Sequence, residues 1–234
     1  MTDFNVSDRL RTIAGLIKKN KTVADIGTDH GYLPIYLAKE GLAEKIIACD
    51  LRQKPLERGK KNAGDLMCAG KIDFRLSDGF DALKPGEADT VIICGMGGFA
   101  IQKILVKALE KGKVPAGTDF VLSPHTDRES LSRFLFESGF EIQEEILLHE
   151  KAAYYILWKC TYDGEKRSAA CAVHAYGGLL LQRKDEALKS YLIREEELLL
   201  RVLRKLDTLP PEKAVKRIGE VKERLNLNKA VRWF

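Results

Sequence analysis

Nowhere in these 234 residues do 18 apolar residues follow one another, so the sequence offers no segment that would cross a membrane as a helix. The amino terminus lacks the charged-then-apolar pattern of an export leader. Both absences point to a soluble, cytoplasmic chain. The five cysteines (Cys49, Cys68, Cys94, Cys160, Cys171) are scattered and form no CxxC pair. Cys49, Cys94 and Cys160 lie in apolar strand-like runs, the usage of small buried thiols in a reducing compartment. HExxH, Cys/His clusters and GxSxG are all missing. Metal hydrolysis, serine-esterase chemistry and a resident metal therefore have no support. The GxGxxG signature of dinucleotide binding is missing as well.

What is present fits a medium α/β domain with an appendage. Hydrophobic residues make up 45% of the chain, enough to fill a core. The charge is uneven. From Lys166 to Phe234 there are 16 Lys and Arg against 9 Asp and Glu, whereas Met1 to Glu165 has 23 against 25. A mildly acidic domain joined to a basic tail suits a polyanionic partner, most simply a nucleic acid, although lysines on a solvated helical face would look the same.

The most informative stretch is Thr22 to Pro34, TVADIGTDHGYLP. A short apolar run ends at Asp25-Ile26-Gly27, a turn containing Gly27 and Gly31 follows, and a helix opens at Tyr32. Asp50 closes the next strand-like run. A glycine turn between strand and helix, followed by an acid at the second strand end, is how α/β domains hold a nucleoside cofactor. Asp29 stands where a dinucleotide fold keeps a glycine against the pyrophosphate. A carboxylate there repels a diphosphate and suits a cation. S-adenosylmethionine carries an ammonium, a sulfonium and a ribose diol and no phosphate, so the first reading is a methyltransferase.

Periodicity places strands at Thr22–Gly27, Lys45–Asp50, Ile72–Asp78, Thr90–Gly95 and Asp119–Pro124, with helices Tyr32–Glu40, Pro55–Ala69, Gly98–Lys111 and Arg128–Ser138 between them. An amphipathic helix, Ser7 to Lys19, precedes them. Such alternation predicts a mostly parallel, doubly wound sheet. Glu141–His149 and Ala153–Tyr162 are also strand-like but are separated only by Glu150-Lys151-Ala152, a connection that can join only antiparallel neighbours. A parallel sheet with a terminal antiparallel hairpin is the Rossmann-like class I methyltransferase pattern. Beyond it, Leu181, Leu188, Leu192, Leu199, Val202 and Leu206 recur at helical spacing. Pro210-Pro211 ends that helix, and a second, shorter one carries Val215, Ile218, Val221 and Leu225 on one face. The expected domains are 1–164, binding the cofactor, and 165–234, an α-helical coiled-coil hairpin whose first helix runs from about Leu180 to Thr208, roughly 40 Å long.

The candidate site residues follow from the strand ends. Asp25 is placed to accept from the cofactor ammonium or from the turn amides. Gly27 and Gly31 let the backbone come close. Asp50 is placed for the ribose hydroxyls, Asp78 for the adenine amine, and Gly79 leaves room for the ring. Acids at strand ends also cap helices, and Asp78-Gly79 also reads as an ordinary turn. Cys94-Gly95-Met96-Gly97-Gly98 lies where the methyl acceptor arrives and carries almost no hydrogen-bonding side chains. An exocyclic amine needs acceptors for its protons. A ring nitrogen such as adenine N1 already has an in-plane lone pair and needs positioning and tolerance of positive charge. Asp29 is placed to stabilise that charge or accept from the adenine amine. His30 orders the turn or takes part with it, Tyr32 is core or a stacking ring, and His125 caps a helix or lines the rim.

ADIGTDHGYLP, SDGF, ICGMGG, the amino-terminal SDRL and a helical hairpin after YGGLL resemble the bacterial TrmK family, tRNA (adenine-N1)-methyltransferases acting on adenosine 22 of the D arm. The resemblance covers essentially the whole chain. It implies a class I fold, S-adenosyl-L-methionine, tRNA as substrate, cofactor contacts at Asp25, Gly27, Asp29, His30, Asp50, Asp78, Gly79 and Gly95 with Met96 beside them, and a functional Arg9. Asp29, His30 and Arg9 are the catalytic candidates. The chain departs from the family pattern at Ser123 and His125, where members carry Gln and Asn, and at Asp50, where some carry Glu. A monomer is the default expectation. A small-molecule methyltransferase and a non-catalytic nucleic-acid-binding protein are the rival readings.

Overall fold

The computed structural model describes residues 4, 6–19, 21–208 and 211–232, with 211–213 as backbone alone. The chain forms two compact units, Met1–Ala169 and Ala170–Phe234. The first unit begins with α1 (Asp8–Gly15), β1 (Thr22–Ile26), α2 (Tyr32–Glu40), β2 (Lys45–Asp50), α3 (Gln53–Asp65) and β3 (Ile72–Leu76). It continues through β4 (Thr90–Met96), α4 (Gly98–Glu110), β5 (Asp119–Pro124), α5 (Arg128–Glu137), β6 (Phe140–Glu150) and β7 (Ala153–Tyr162). One seven-stranded sheet runs in the order β3-β2-β1-β4-β5-β7-β6. The first five of these strands pair in parallel, and β7 pairs antiparallel with both β5 and β6.

Central strands buried on both faces read as unbroken apolar runs. Ile46, Ile47, Ala48, Val91, Ile92, Ile93, Phe120, Val121 and Leu122 accordingly show 1% exposure or less. The chain runs outward from β1 to β3 and returns to β4 on the other side of β1. That reversal opens a crevice beyond the carboxyl ends of β1 and β4, where open α/β sheets bind ligands.

The expected helix from Ser7 to Lys19 is shorter than its pattern. Ser7 caps it, its Oγ accepting from the Leu10 N–H at 3.3 Å. It ends at Gly15, a weak helix former, where the Leu16 and Ile17 N–H groups bond three residues back to Ile13 and Ala14. Residues 165–169 stay with the first unit, not the second as expected. Arg167 pairs with Asp163 through both terminal guanidinium nitrogens, and its backbone N–H donates to the Phe136 carbonyl at 2.7 Å.

The second unit holds α6 (Cys171–Tyr176), α7 (Gly178–Gln182), α8 (Glu186–Leu206) and α9 (Pro211–Val231). The long helix expected from Leu180 begins only at Glu186, because Asp185 takes the N-cap position and accepts from the Ala187 and Leu188 N–H groups. At 21 residues it is about 32 Å long, and α9 matches it instead of being shorter. Pro211 opens α9, a position where its missing N–H costs nothing; Pro210 lies outside the described residues. The buried stripe of α9 is Ala214, Val221, Leu225 and Asn228, so the expected Val215 points outward at 66% exposure. The two helices run antiparallel, with Glu195 against Arg224 and the Leu192 carbonyl accepting from Asn228.

Candidate active site

A cavity of about 390 Å³ opens at the crevice between β1 and β4, within the size range of small-molecule pockets. Its floor is backbone. Gly27 follows β1 at φ 80°, and the Gly27 and Thr28 N–H groups donate to the Cys49 carbonyl at 2.8 and 2.9 Å. A Cβ on Gly27 would sit 2.6 Å from Met96 Cε, so a side chain there would push Met96 aside. Opposite, the pairing of β4 with β5 shifts register between Cys94 and Met96. Gly95 is the extra residue, at φ 82°, and the bulge brings Met96 to the cavity wall.

Among the described charged residues of the lining, acids outnumber the one cation. Asp50 is 6% exposed. Its Oδ2 accepts from the Asp29 N–H at 3.1 Å and its Oδ1 from the Arg52 N–H at 2.9 Å. Each oxygen keeps a lone pair for a ligand. Asp29 and Asp78 also line the cavity, against Arg52 as the lining cation. Asp29 sits in the left-handed region at φ 51°, which Asp tolerates. Its carboxylate is largely exposed and 3.5 Å from His30 Nε2. Asp78 accepts a 2.6 Å hydrogen bond from Lys107 Nζ of α4, a partner the sequence did not announce. A Cβ on Gly79, which adopts φ 60°, would lie 3.1 Å from Ile104 Cγ2, a tight fit for any larger residue.

Asp25 is buried and does not line the cavity. The turn amides it was expected to satisfy bond to Cys49 instead. Burial pushes its carboxyl up to about 7, with the Asp50 charge adding to the rise. The Thr28 hydroxyl, buried beside it, works the other way and offsets part of the rise. Gly31 also stands apart from the cavity: a Cβ on it would meet Gly59 Cα at 3.2 Å, so it serves the packing of α2 on α3. The His30 ring lies 5.7 Å from Tyr32, which is 48% exposed.

Arg9 and His125 form a second group at the rim. Arg9 Nη1 lies 2.7 Å from His125 Nε2, and its guanidinium covers the Tyr155 ring at 4.6 Å. His125 does not cap α5; Asp127 takes that position. Ser123 is fully buried and its Oγ lacks a partner. The sequence reading passed over Leu51, Arg52, Ile104, Lys107 and Tyr155. Leu51 and Arg52 were findable, because residues just past a strand end line such crevices. Tyr155 comes from the antiparallel hairpin and had no local signal. Among the described residues no group of His, Cys, Asp or Glu could hold a metal ion, and no helix is long and apolar enough to cross a membrane.

Residues 6–157 match the methyltransferase domain family. The tRNA (adenine(22)-N(1))-methyltransferase of Bacillus subtilis (strain 168) is 30% identical over 180 residues, 74% of this chain and 75% of that protein. Among solved structures, the B. subtilis M1A22 tRNA methyltransferase TrmK matches with TM-score 0.86 and 25% identity, covering 98% of this chain and 100% of that one. M. capricolum TrmK in complex with S-adenosyl-homocysteine matches with TM-score 0.81 and 29% identity, covering 96% of each chain.

Proposed function

This chain belongs to the tRNA (adenine(22)-N(1))-methyltransferase family, and we propose that it methylates N1 of adenine 22 in tRNA with S-adenosyl-L-methionine as the methyl donor. The observation that carries the reading is the acidic, glycine-floored cavity at the strand reversal. It pairs Asp50, held with free lone pairs, with a backbone stripped of side chains at Gly27 and Gly95. Three carboxylates against Arg52 disfavour a polyphosphate and favour a cationic nucleoside.

S-adenosylmethionine, when bound, supplies a methyl carbon made electrophilic by the adjoining sulfonium. Asp50 would hold the ribose diol, each of its oxygens already accepting only one backbone N–H. Asp25, buried beneath the first turn, would supply a negative charge toward the ammonium once ionised, with the Thr28 hydroxyl beside it. Asp78, steadied by Lys107, would accept from the adenine amine, with Gly79 leaving room for the ring. The Gly95–Gly98 loop offers the incoming base no acceptor side chain, which suits a ring nitrogen with its own lone pair. Asp29, exposed at the cavity edge, offsets the positive charge the base acquires. N1 lies on the Watson–Crick edge, so a paired target must be exposed first.

Incubating the protein with radiolabelled methyl donor and total bacterial tRNA, analysing nucleosides, and mapping the methylated position by primer-extension arrest tests this directly. Label in 1-methyladenosine at position 22 is the expected result. Label in another nucleoside, or only in small molecules, would refute it.

A further inference from the structure

Arg9 belongs to α1, His125 to the loop after β5 and Tyr155 to β7, yet the three side chains meet. A guanidinium has no acceptor, so in the 2.7 Å contact Arg9 Nη1 donates and His125 Nε2 accepts. That assigns His125 the neutral tautomer with its proton on Nδ1. Burial and the Arg9 charge both lower the His125 pKa, in agreement. The Tyr155 ring lies 4.6 Å below the guanidinium and meets the His125 ring edge-on at 5.7 Å. Arg9 Nε is buried without a hydrogen-bond partner. Glu150 accepts from the Arg9 backbone N–H, at 3.5 Å. The group thus presents one positive charge, clamped on a ring and aimed by a histidine.

Its position is tied to the methyl-transfer loop. The His125 backbone N–H donates to the Met96 carbonyl and the Gly98 backbone N–H to the Thr126 carbonyl, both at 2.9 Å. A Cβ on Gly98 would lie 2.7 Å from the Asp127 carbonyl oxygen, so the two loops are locked edge to edge. A cation fixed there cannot serve the base itself. The adenine ring becomes positive as N1 is methylated, and a donor on N1 would occupy the reacting lone pair. The anionic part of the same nucleotide is its phosphate, whose oxygens match a forked guanidinium.

We propose that Arg9 binds a phosphate flanking the target adenosine, and that His125 and Tyr155 are positioning residues that aim it. This rests on the tRNA methyltransferase reading. The test uses full-length enzyme and three ligated tRNAs: one unmodified, and two with a single uncharged methylphosphonate on the 5′ or the 3′ side of the target adenosine. For the wild type, kcat/KM should fall roughly 10- to 100-fold on one of the two neutral linkages, mostly through KM, the usual size of a lost charge-assisted hydrogen bond. Arg9→Ala should lose as much on unmodified tRNA and nothing further on that neutral linkage. Its salt slope of log kcat/KM should flatten by about one unit. His125→Ala and Tyr155→Leu should show part of the same loss and the same insensitivity, His125→Gln, which still accepts from Arg9, should recover activity, and S-adenosylmethionine affinity should be unchanged throughout. A wild type active on tRNA, with Arg9→Ala and the neutral linkage losing activity additively, overturns the phosphate assignment alone. A wild type that methylates no tRNA overturns the functional reading and this assignment with it.

Discussion

Asp50 and Asp25 are the same residue type on neighbouring strands, yet their surroundings set them different tasks. Asp50 accepts from two backbone N–H groups, so it shapes the turn as well as the ligand site. Asp50→Ala should therefore weaken S-adenosylmethionine binding roughly tenfold or more, and also destabilise the protein by about 1–3 kcal/mol by stranding those donors. Calorimetry and thermal melts measure the two effects; an unchanged affinity would remove Asp50 from the site. Asp25 has a carboxyl pushed up to about 7 by burial. Pairing it with an ammonium requires its anion, so cofactor binding should release a proton. Affinity should then fall about tenfold per pH unit below pH 7. The sign for stability is the reverse of the usual carboxylate case. The free protein keeps its full stability below the ordinary Asp range and loses it as pH rises from about 4 to 7. Asp25→Asn should raise the melting temperature of the free protein at pH 8, leave it unchanged at pH 4, and flatten the affinity profile. A profile that stays pH-dependent in Asp25→Asn assigns the titration elsewhere.

At the scale of elements, the helix pair of the second unit shows how a leucine pattern and a polar network share one job. Leu188 and Leu192 pack inward on α8, while Glu195 on the same helix accepts from Tyr176, Tyr191, Arg224 and Asn228. Burial works to raise the Glu195 pKa, but Asn228, Arg224 and Tyr176 outweigh it and the net shift is downward. Its contribution is therefore fully present above the ordinary Glu range and is lost as pH falls through the lowered folded value. Glu195→Ala removes the carboxylate that Tyr176, Tyr191, Arg224 and Asn228 share and should cost about 1–3 kcal/mol. Helical circular dichroism followed through a thermal melt should show the loss at pH 7 and a smaller one near pH 3. Equal losses at both pH values would mean that packing, not the ion pair, holds α8 to α9.

For the whole molecule, the charge asymmetry makes a separable prediction. The cavity residues all precede Ala170, and Arg167 belongs to the first unit. A chain ending at Ala169 should bind S-adenosylmethionine with little change. It should bind tRNA more weakly, with a shallower salt slope, and methylate it less, because the basic residues beyond Ala170 no longer release counterions. Lys216 and Lys222 belong to that basic set, whereas Arg217, Arg224, Lys229 and Arg232 already pair with Glu220, Glu195 and Glu196; the side chain of Lys213 lies outside the described residues. Filter binding across a salt series checks this. Equal affinity and slope in the shortened protein would place the RNA surface on the first unit.

Local patterns alone carried the strand and helix sequence of the first unit, because two-sided burial demands continuous apolar runs and Gly turns mark where they end. They carried the hairpin too, since three residues can join only antiparallel neighbours. They also singled out Asp29, Asp50, Asp78 and Gly95 at strand ends, where residues near in sequence to a crevice line it. What they did not carry depends on contacts between distant residues. Gly31 looked like a cofactor glycine, but the approach of Gly59 explains it. Val215 matched a helical face, yet Ala214 took the buried register when α9 met α8. Asp185 cut short a helix that the leucine repeat extended. The meeting of Arg9, His125 and Tyr155 spans 146 residues of chain. No periodicity reports such a meeting, because side chains from three elements converge only after the sheet has closed its strand order.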